Sequence, residues 1–460
     1  MTTAKKRTTL DLTNGRTLPL MLRFCLPILL GNLMQQFYNM ADAAIVGKFI
    51  GTNALAAVGA TGAVIFLVIG FVDGMCAGFC IPAAQSFGAG DKSMLRRCIM
   101  NIVWLGIFFA AVLTVTTSLA LDGILKLMAF PADIIADSKI YLRVIFLGIP
   151  ATIAYNTQAG LMRAMGNSRT PLLVLLLASC VNIVLDLIFV AILGIGVIGA
   201  ALATIISQLI SAVICFVYIR KNYPELYPSA DERRFNPPIA KRLVLSGLPM
   251  ALQYSITAIG SVLIQTSVNG FGTDIVASVT ASNKVQSFVH LPFTTLGVTL
   301  STWCGQNIGA GRFDRVKNGF WCGMAIAGVY SMFMTCVMFF LGEYISLIFL
   351  DSADPRLEVM LGYIRQFIRA NCVHYLSLGL LTVCRFSLQG LEYGITAMFA
   401  GIFEMFARGT VALVFADMFG FSAICIANPA AWYAACVLLV PACLVVFPKV
   451  RKAHENNNNT

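Results

Sequence analysis

The sequence predicts an all-α polytopic membrane protein of twelve transmembrane helices, arranged as two six-helix lobes. Three observations predict it. The 460 residues are 58% hydrophobic and only 12% charged, a composition far from that of a soluble domain. Apolar stretches long enough to cross a bilayer, about 20 residues each, follow one another almost without a break. Finally, the chain repeats itself at a constant offset, as duplicated membrane units do.

Taken in order, the spans fall near 23–47, 54–82, 95–119, 136–161, 171–193 and 197–219, then near 242–268, 275–304, 317–341, 357–384, 393–415 and 421–447. They read as helices, because β-barrel strands are short and alternate apolar with polar residues. Residues 1–22 are polar and basic and read as a cytoplasmic arm, with no cleavable signal peptide. The longest polar stretch between spans, 221–241, contains Pro224, Pro228, Pro237 and Pro238 and divides the chain. The expected organisation is an N-terminal lobe (23–220), a cytoplasmic linker (221–241), a C-terminal lobe (242–448) and a cytoplasmic tail (449–460). Six spans per lobe give both lobes the same orientation. They are therefore parallel repeats, related by a pseudo-two-fold axis along the membrane normal.

The formal charge of +11 could suggest nucleic acid, so its location matters. Lys and Arg gather in alternate loops: Lys5, Lys6, Arg7 and Arg16; Lys92, Arg96 and Arg97; Arg163 and Arg169; the 220–242 stretch; Arg312, Arg315 and Lys317; and Lys449, Arg451 and Lys452. The remaining loops carry acid instead, at Asp122, Asp133, Asp137, Asp274, Asp351, Asp354 and Asp417. This positive-inside pattern places both termini in the cytoplasm of a multi-pass protein of the cell membrane. The charge is a topology signal, and no nucleic-acid partner is expected. The fourteen cysteines are scattered through apolar spans without a C-x-x-C pair, and Cys76 and Cys80 read as packing residues.

The repeat is explicit. Gly51-Thr52-Asn53-Ala54-Leu55-Ala56-Ala57-Val58 recurs 221 residues later as Gly272-Thr273-Asp274-Ile275-Val276-Ala277-Ser278-Val279. Gln85-Ser86-Phe87-Gly88-Ala89-Gly90 recurs at the same offset as Gln306-Asn307-Ile308-Gly309-Ala310-Gly311, and Pro27 is matched by Pro249 at an offset of 222. No Gly-Lys-Ser/Thr follows the Gly-Ala-Gly turns, so they are turns and not phosphate loops.

Several of these segments resemble the multidrug and toxic compound extrusion (MATE) transporters. They are Leu12-Thr13-x-Gly15, Pro27-Ile28-Leu29-Leu30-Gly31-Asn32, Gln35-Gln36-Phe37-Tyr38-Asn39 with Asp42 and Val46-Gly47, Gly51-x-x-Ala54-Leu55-Ala56-Ala57-Val58-Gly59, and Arg163-Ala164-x-Gly166-Asn167-x-x-x-Pro171. The resemblance covers residues 10–450. It implies an antiporter that exports organic, often cationic, compounds in exchange for Na⁺ or H⁺. The expected partners are a small-molecule substrate and the lipid bilayer, with no obligate protein partner and no cofactor beyond the coupling ion.

An ionisable group in hydrocarbon costs a few kcal/mol at least, so each one needs a partner or a task. Asp42 in span one and Asp186 in span five lie well inside spans without a nearby base, and Asn182 precedes Asp186 by four residues on the same helix face. At 1.5 Å per residue, Asp186 lies about 22 Å from the inner end of span five, and Thr204 about 10 Å from the outer end of span six. The two are at similar depth in a core about 30 Å thick. Asp42, late in an outward-running span, reaches the same outer half. Hard oxygens suit a hard cation, and two close carboxylates suit one shared proton. The set Asp42, Asn182, Asp186 and Thr204 also resembles the cation-binding set of the family's N-terminal lobe. Na⁺ or H⁺ is expected there; the amide and the hydroxyl add ligands that a proton does not need, which tilts the reading toward Na⁺. Interhelical polar packing is the structural alternative. Gln36, Tyr38, Asn156 and Gln158 are supporting or substrate-contacting candidates.

The second copy departs from this pattern. At an offset of 222, Asn182 corresponds to Glu404 and Asp186 to Arg408, while Asp42 falls opposite Leu263 or Ile264. Glu404 and Arg408, spaced i,i+4, read as an ion pair along one helix, with a substrate-contacting Glu404 as the alternative. Family members that couple through C-terminal acids have no counterpart in Gln253, Ile264 or Arg369-Ala370-Asn371. Asp73 and Lys284 read as interhelical pairs first and substrate contacts second, and His290 and His374 as packing residues. Pro27, Pro150, Pro249 and Pro292 lack a backbone N–H and allow bends, with Pro27 the expected hinge near Asp42. A lipid or lipid-linked oligosaccharide flippase of the same superfamily is the alternative function. No Gly-x-Ser-x-Gly or His-x-x-x-His constellation supports an enzyme, and a cluster in one lobe lacks the ring symmetry of a channel filter.

Overall fold

The computed structural model describes residues 9–128, 130–350 and 355–458, and the regular structure among them is helical throughout. Lys5, Lys6, Arg7, Asp351 and Asp354, which contribute to the charge pattern, lie outside the described residues. Contacts divide the chain into two compact units. One is made of residues 22–251 with 1–15, the other of residues 252–460 with 16–21.

The first unit contains most of α1 (Thr17–Phe49), then α2 (Thr52–Gly88), α3 (Lys92–Leu127), α4 (Ile135–Leu147), α5 (Ile149–Ala164), α6 (Arg169–Asp186) and α7 (Val197–Asn222). It also takes the start of α8 (Pro237–Asn269). The division falls inside α8, and not in the linker at 221–241. Packing explains this. Leu243 and Ala251 of α8 join the core built on Phe79, Leu142 and Phe146, and a Cβ at Gly78 would sit 2.5 Å from the Gly247 backbone. Linker residues are also clasped to α3. Glu232 accepts from Arg96 Nε at 2.7 Å and from Ser93 at 2.8 Å, and the Trp104 indole donates to the Arg233 carbonyl at 3.0 Å. The Arg96 guanidinium, with the Ser229 N–H and the Ser93 hydroxyl, holds the Glu232 carboxyl well below the usual carboxylate range.

The second unit contains the rest of α8, then α9 (Thr273–Gly309), α10 (Phe313–Ser346), α11 (Leu357–Cys372), α12 (Tyr375–Gly390), α13 (Gly394–Leu413), the short α14 (Phe415–Phe419) and α15 (Phe421–Asn458). Across the described residues, nine helices are long and apolar enough to cross a membrane, and eleven spans result when two bent pairs are each taken as one. The 37-residue α9, with its run of Ser, Thr, Asn, Lys and Gln residues, completes twelve. The bent pairs are α4 with α5, at 48°, and α11 with α12, at 47°. Pro150, at the start of α5, accounts for the first break. The second has no proline; the His374 carbonyl there accepts the Ser377 hydroxyl at 2.7 Å. Pro27, Pro249 and Pro292 stand inside continuous helices.

The recurring motifs have local structural reasons. Gly90 and Gly311 both take positive φ at helix ends, where the following N–H returns to Ser86 or Asn307. Gly166 takes a φ of 83°, and a Cβ there would sit 2.0 Å from the Leu10 carbonyl oxygen, so only glycine fits. Next to it, Asn167 Oδ1 accepts the Thr170 N–H at 3.0 Å, while its amide donates to the Tyr223 hydroxyl at 3.1 Å.

Candidate functional site

In the first unit α1 faces α6 at Gly31, next to the side chains of Leu172 and Leu175. On α6, the i,i+4 spacing stacks Asn182 and Asp186 on one buried face, 3% and 0% exposed. From α1, the Asp42 carboxyl meets that of Asp186 directly, side chain to side chain. Neither of the two is a donor when ionised, and no donor from elsewhere reaches the buried oxygens. Asp42 Oδ1, both carboxyl oxygens of Asp186 and both amide atoms of Asn182 are buried without a hydrogen-bond partner. Native interiors rarely leave such groups unpaired, so a cluster of them requires a cause.

Local backbone marks the same place. Asp186 is the last α-helical residue of α6, and Leu187–Ile192 form a π-helical turn, with the Leu193 N–H reaching back to the Ile188 carbonyl at 2.9 Å. A single π turn inside a span resets the helix face beyond it and is concentrated at functional positions. The sequence carries no signal for it. Gly194 and Gly196, both at positive φ, then turn the chain into α7.

The remaining candidates divide. The Tyr38 hydroxyl, one turn before Asp42, is in electrostatic reach of Asp42, Asp186 and Asp73. Tyr141 of α4, which sequence reasoning missed, also faces Asp42, Asp186 and Tyr38. Asp73 of α2 is exposed, and its Oδ1 accepts from the Asn156 amide of α5 at 2.5 Å; Arg163 adds a favourable charge. Asn156 therefore supports Asp73, not the buried pair. Thr204 donates to the Ala200 carbonyl of its own helix at 3.2 Å, which leaves its oxygen lone pairs free to accept. Gln158 Oε1 is buried without a partner and borders a separate apolar cavity of about 550 Å³ among α3, α5, α7 and the linker. Gln36 is half-buried on α1, on a different face from Asp42.

In the second unit the expected Glu404–Arg408 ion pair along α13 is present, and a second guanidinium that the expectation did not include joins it. Glu404 is bonded by Arg385 from α12, whereas Arg408 Nη2 stands 3.9 Å from its other oxygen. α12 presents a second guanidinium to the buried face of α13, and a partner from the next helix approaches the carboxylate more closely than one a turn along. Arg385, mid-span between Cys384 and Phe386, was visible in the sequence as a buried-helix charge. Gln389 donates to Gln253 at 2.7 Å beside it. Lys284 lies over the Phe349 ring at 5.5 Å. His374 shares a 3.0 Å hydrogen bond with Tyr433, and His290 packs edge-on to Trp432.

Comparison with known proteins gives one consistent result. The MatE family profile matches residues 27–188 and 249–414. The probable multidrug resistance protein YoeA of Bacillus subtilis (strain 168) is 30% identical over 317 residues, 66% of this chain and 68% of that one. The FAD transporter of Shewanella oneidensis is 23% identical over 358 residues, 76% of this chain and 77% of that one. An outward-facing MATE family multidrug resistance transporter superposes with a TM-score of 0.87 at 21% identity, covering 96% of this chain and 98% of that chain.

Proposed function

This chain belongs to the MatE family of transport proteins, and from that premise we propose that it is a secondary exporter of organic compounds, driven by Na⁺ or H⁺ bound at Asp42 and Asp186. The observation that carries the reading is the meeting of these two carboxyl groups beside the unpartnered Asn182 amide. Like charges in such proximity cannot both persist without a counter-charge. A cation or a proton from outside supplies it, with Asn182 Oδ1 and the free lone pairs of Thr204 as further oxygens. Tyr38 and Tyr141 border the ion, and Asp73, exposed and held by Asn156, is the acid that a basic group on a substrate can reach.

Coupling follows from charge. Once the ion neutralises the buried pair, the field around Tyr38 and Asp73 is less negative, and a cationic guest is held less tightly. Ion and substrate thus favour different states, which is the thermodynamic requirement for exchange. The relatives' names span multidrug resistance and FAD transport, so substrate charge is best decided by assay. The positive-inside charge distribution supports a location in the cell membrane with both termini cytoplasmic.

The test is release of a fluorescent organic cation from proteoliposomes containing the purified protein, with sodium and pH gradients imposed separately. Acceleration by one inward ion gradient supports the proposal. Release indifferent to both gradients, in vesicles where the protein still exchanges substrate, overturns it.

A further inference from the structure

The interior of the second unit has the opposite charge problem from the first. Arg385 and Arg408, each 7% exposed, share a single carboxylate, Glu404, at 2%. The cluster therefore carries one uncompensated positive charge, and the field at Arg408 comes from Glu404 and Arg385. Three donor atoms of the two guanidiniums, Arg408 Nε and Nη1 and Arg385 Nε, are buried without an acceptor, and so is Gln286 Nε2 on α9. Gln286 lies one turn before His290 on the same face of α9, and His290 is in electrostatic reach of Arg408. On the other side, Gly260 of α8 lets the guanidinium pack close to the backbone, since a Cβ there would sit 3.2 Å from Arg408 Nη1. An unpaired guanidinium in a low-dielectric interior is costly, and unsatisfied donors add to the cost. One negative charge with acceptor lone pairs removes both.

We propose that the second unit contains an anion site centred on Arg408, completed by Arg385 Nε and the Gln286 amide, for one compact singly charged group. That group is a halide or carboxylate, either as a free anion or as part of the transported molecule. Arg408 supplies the charge and two of the donors. Glu404 faces Arg408 Nη2 alone, at 3.9 Å, and leaves Nε and Nη1 without an acceptor. The site stands apart from the Asp42 and Asp186 reading and survives its failure.

The experiment follows thermal unfolding of the full-length protein in detergent at constant sodium, with gluconate replaced stepwise by chloride or by acetate. Wild type is expected to show a saturable rise in Tm with at least one of them. Arg408→Met should abolish the rise, and Gln286→Leu, which removes one neutral donor and no charge, should raise the half-saturating concentration several-fold. Asp42→Asn should leave the response intact. A rise that does not saturate, or one identical in wild type, Arg408→Met and Gln286→Leu, overturns the site. A fluorescent dye bearing one carboxylate and its methyl ester identify the source. Competition with the small anion by the acid alone assigns the site to a substrate group, and competition by neither assigns it to a free anion.

Discussion

Replacing Asp186 by Asn tests the carboxyl pair with almost no change in shape. Two unit charges about 4 Å apart interact by about 4 kcal/mol at an effective dielectric near 20. That is the repulsion the ion-free wild type carries and also the attraction that one carboxylate offers to a bound cation. Removing one of the two charges should therefore weaken sodium binding by roughly a hundred- to a thousand-fold, at 1.4 kcal/mol per decade. Thermal unfolding in detergent, with sodium exchanged for potassium at constant ionic strength, reads this directly. A ligand present at about 100 times its Kd stabilises the folded state by about 2.7 kcal/mol. Wild type should gain an amount of that order, and Asp186→Asn should gain almost none over the same sodium range. In potassium alone the variant should unfold above wild type, because the like-charge contact is gone; a misfolded variant would do the reverse. A sodium response in Asp186→Asn equal to that of wild type would refute the reasoning.

Other expectations follow from the same geometry. Asp73→Asn keeps the Asn156 contact but removes the exposed charge, and should raise the concentration of a cationic substrate needed for half-maximal transport while ion coupling persists. Glu404→Gln leaves two buried guanidiniums without a carboxylate and should destabilise the protein by about 3–5 kcal/mol, visible as a lower Tm than that of Arg408→Met. The clasp between Glu232 and Arg96 has a definite pH signature. Because the folded protein holds this carboxyl below the ordinary value of about 4.3, its stabilising contribution is complete above that pH and fades as pH falls below it. Glu232→Gln should therefore lower Tm at neutral pH, and the gap to wild type should close on acidification.

Much of this was legible in the chain because bilayers impose simple rules. Apolar length identified the spans, and the constant offset between Gly51 and Gly272 the duplication. Asp42 and Asp186 stood out because charge within hydrocarbon is rare, and the structure does bring them together. What escaped depends on helix rotation and on backbone detail, neither of which composition encodes. Asn156 turns to Asp73 and Arg385 to Glu404 because of how α2 meets α5 and α12 meets α13. The break at His374 lacks the proline that marks its counterpart at Pro150. The π turn after Asp186 arises from one residue's worth of shifted hydrogen bonding inside an otherwise ordinary Leu-Ile-Phe-Val run. Tyr141 carries no sequence signal that it faces the acids from α4.

The most direct measurement is uphill substrate movement in proteoliposomes containing wild type or Asp42→Asn, compared with substrate-for-substrate exchange in the same vesicles. If the buried acids couple the ion, the variant still exchanges substrate but no longer concentrates it when the favourable ion gradient is applied. Gradient-driven accumulation by Asp42→Asn at the wild-type level would contradict that claim, whatever role the cluster plays in packing.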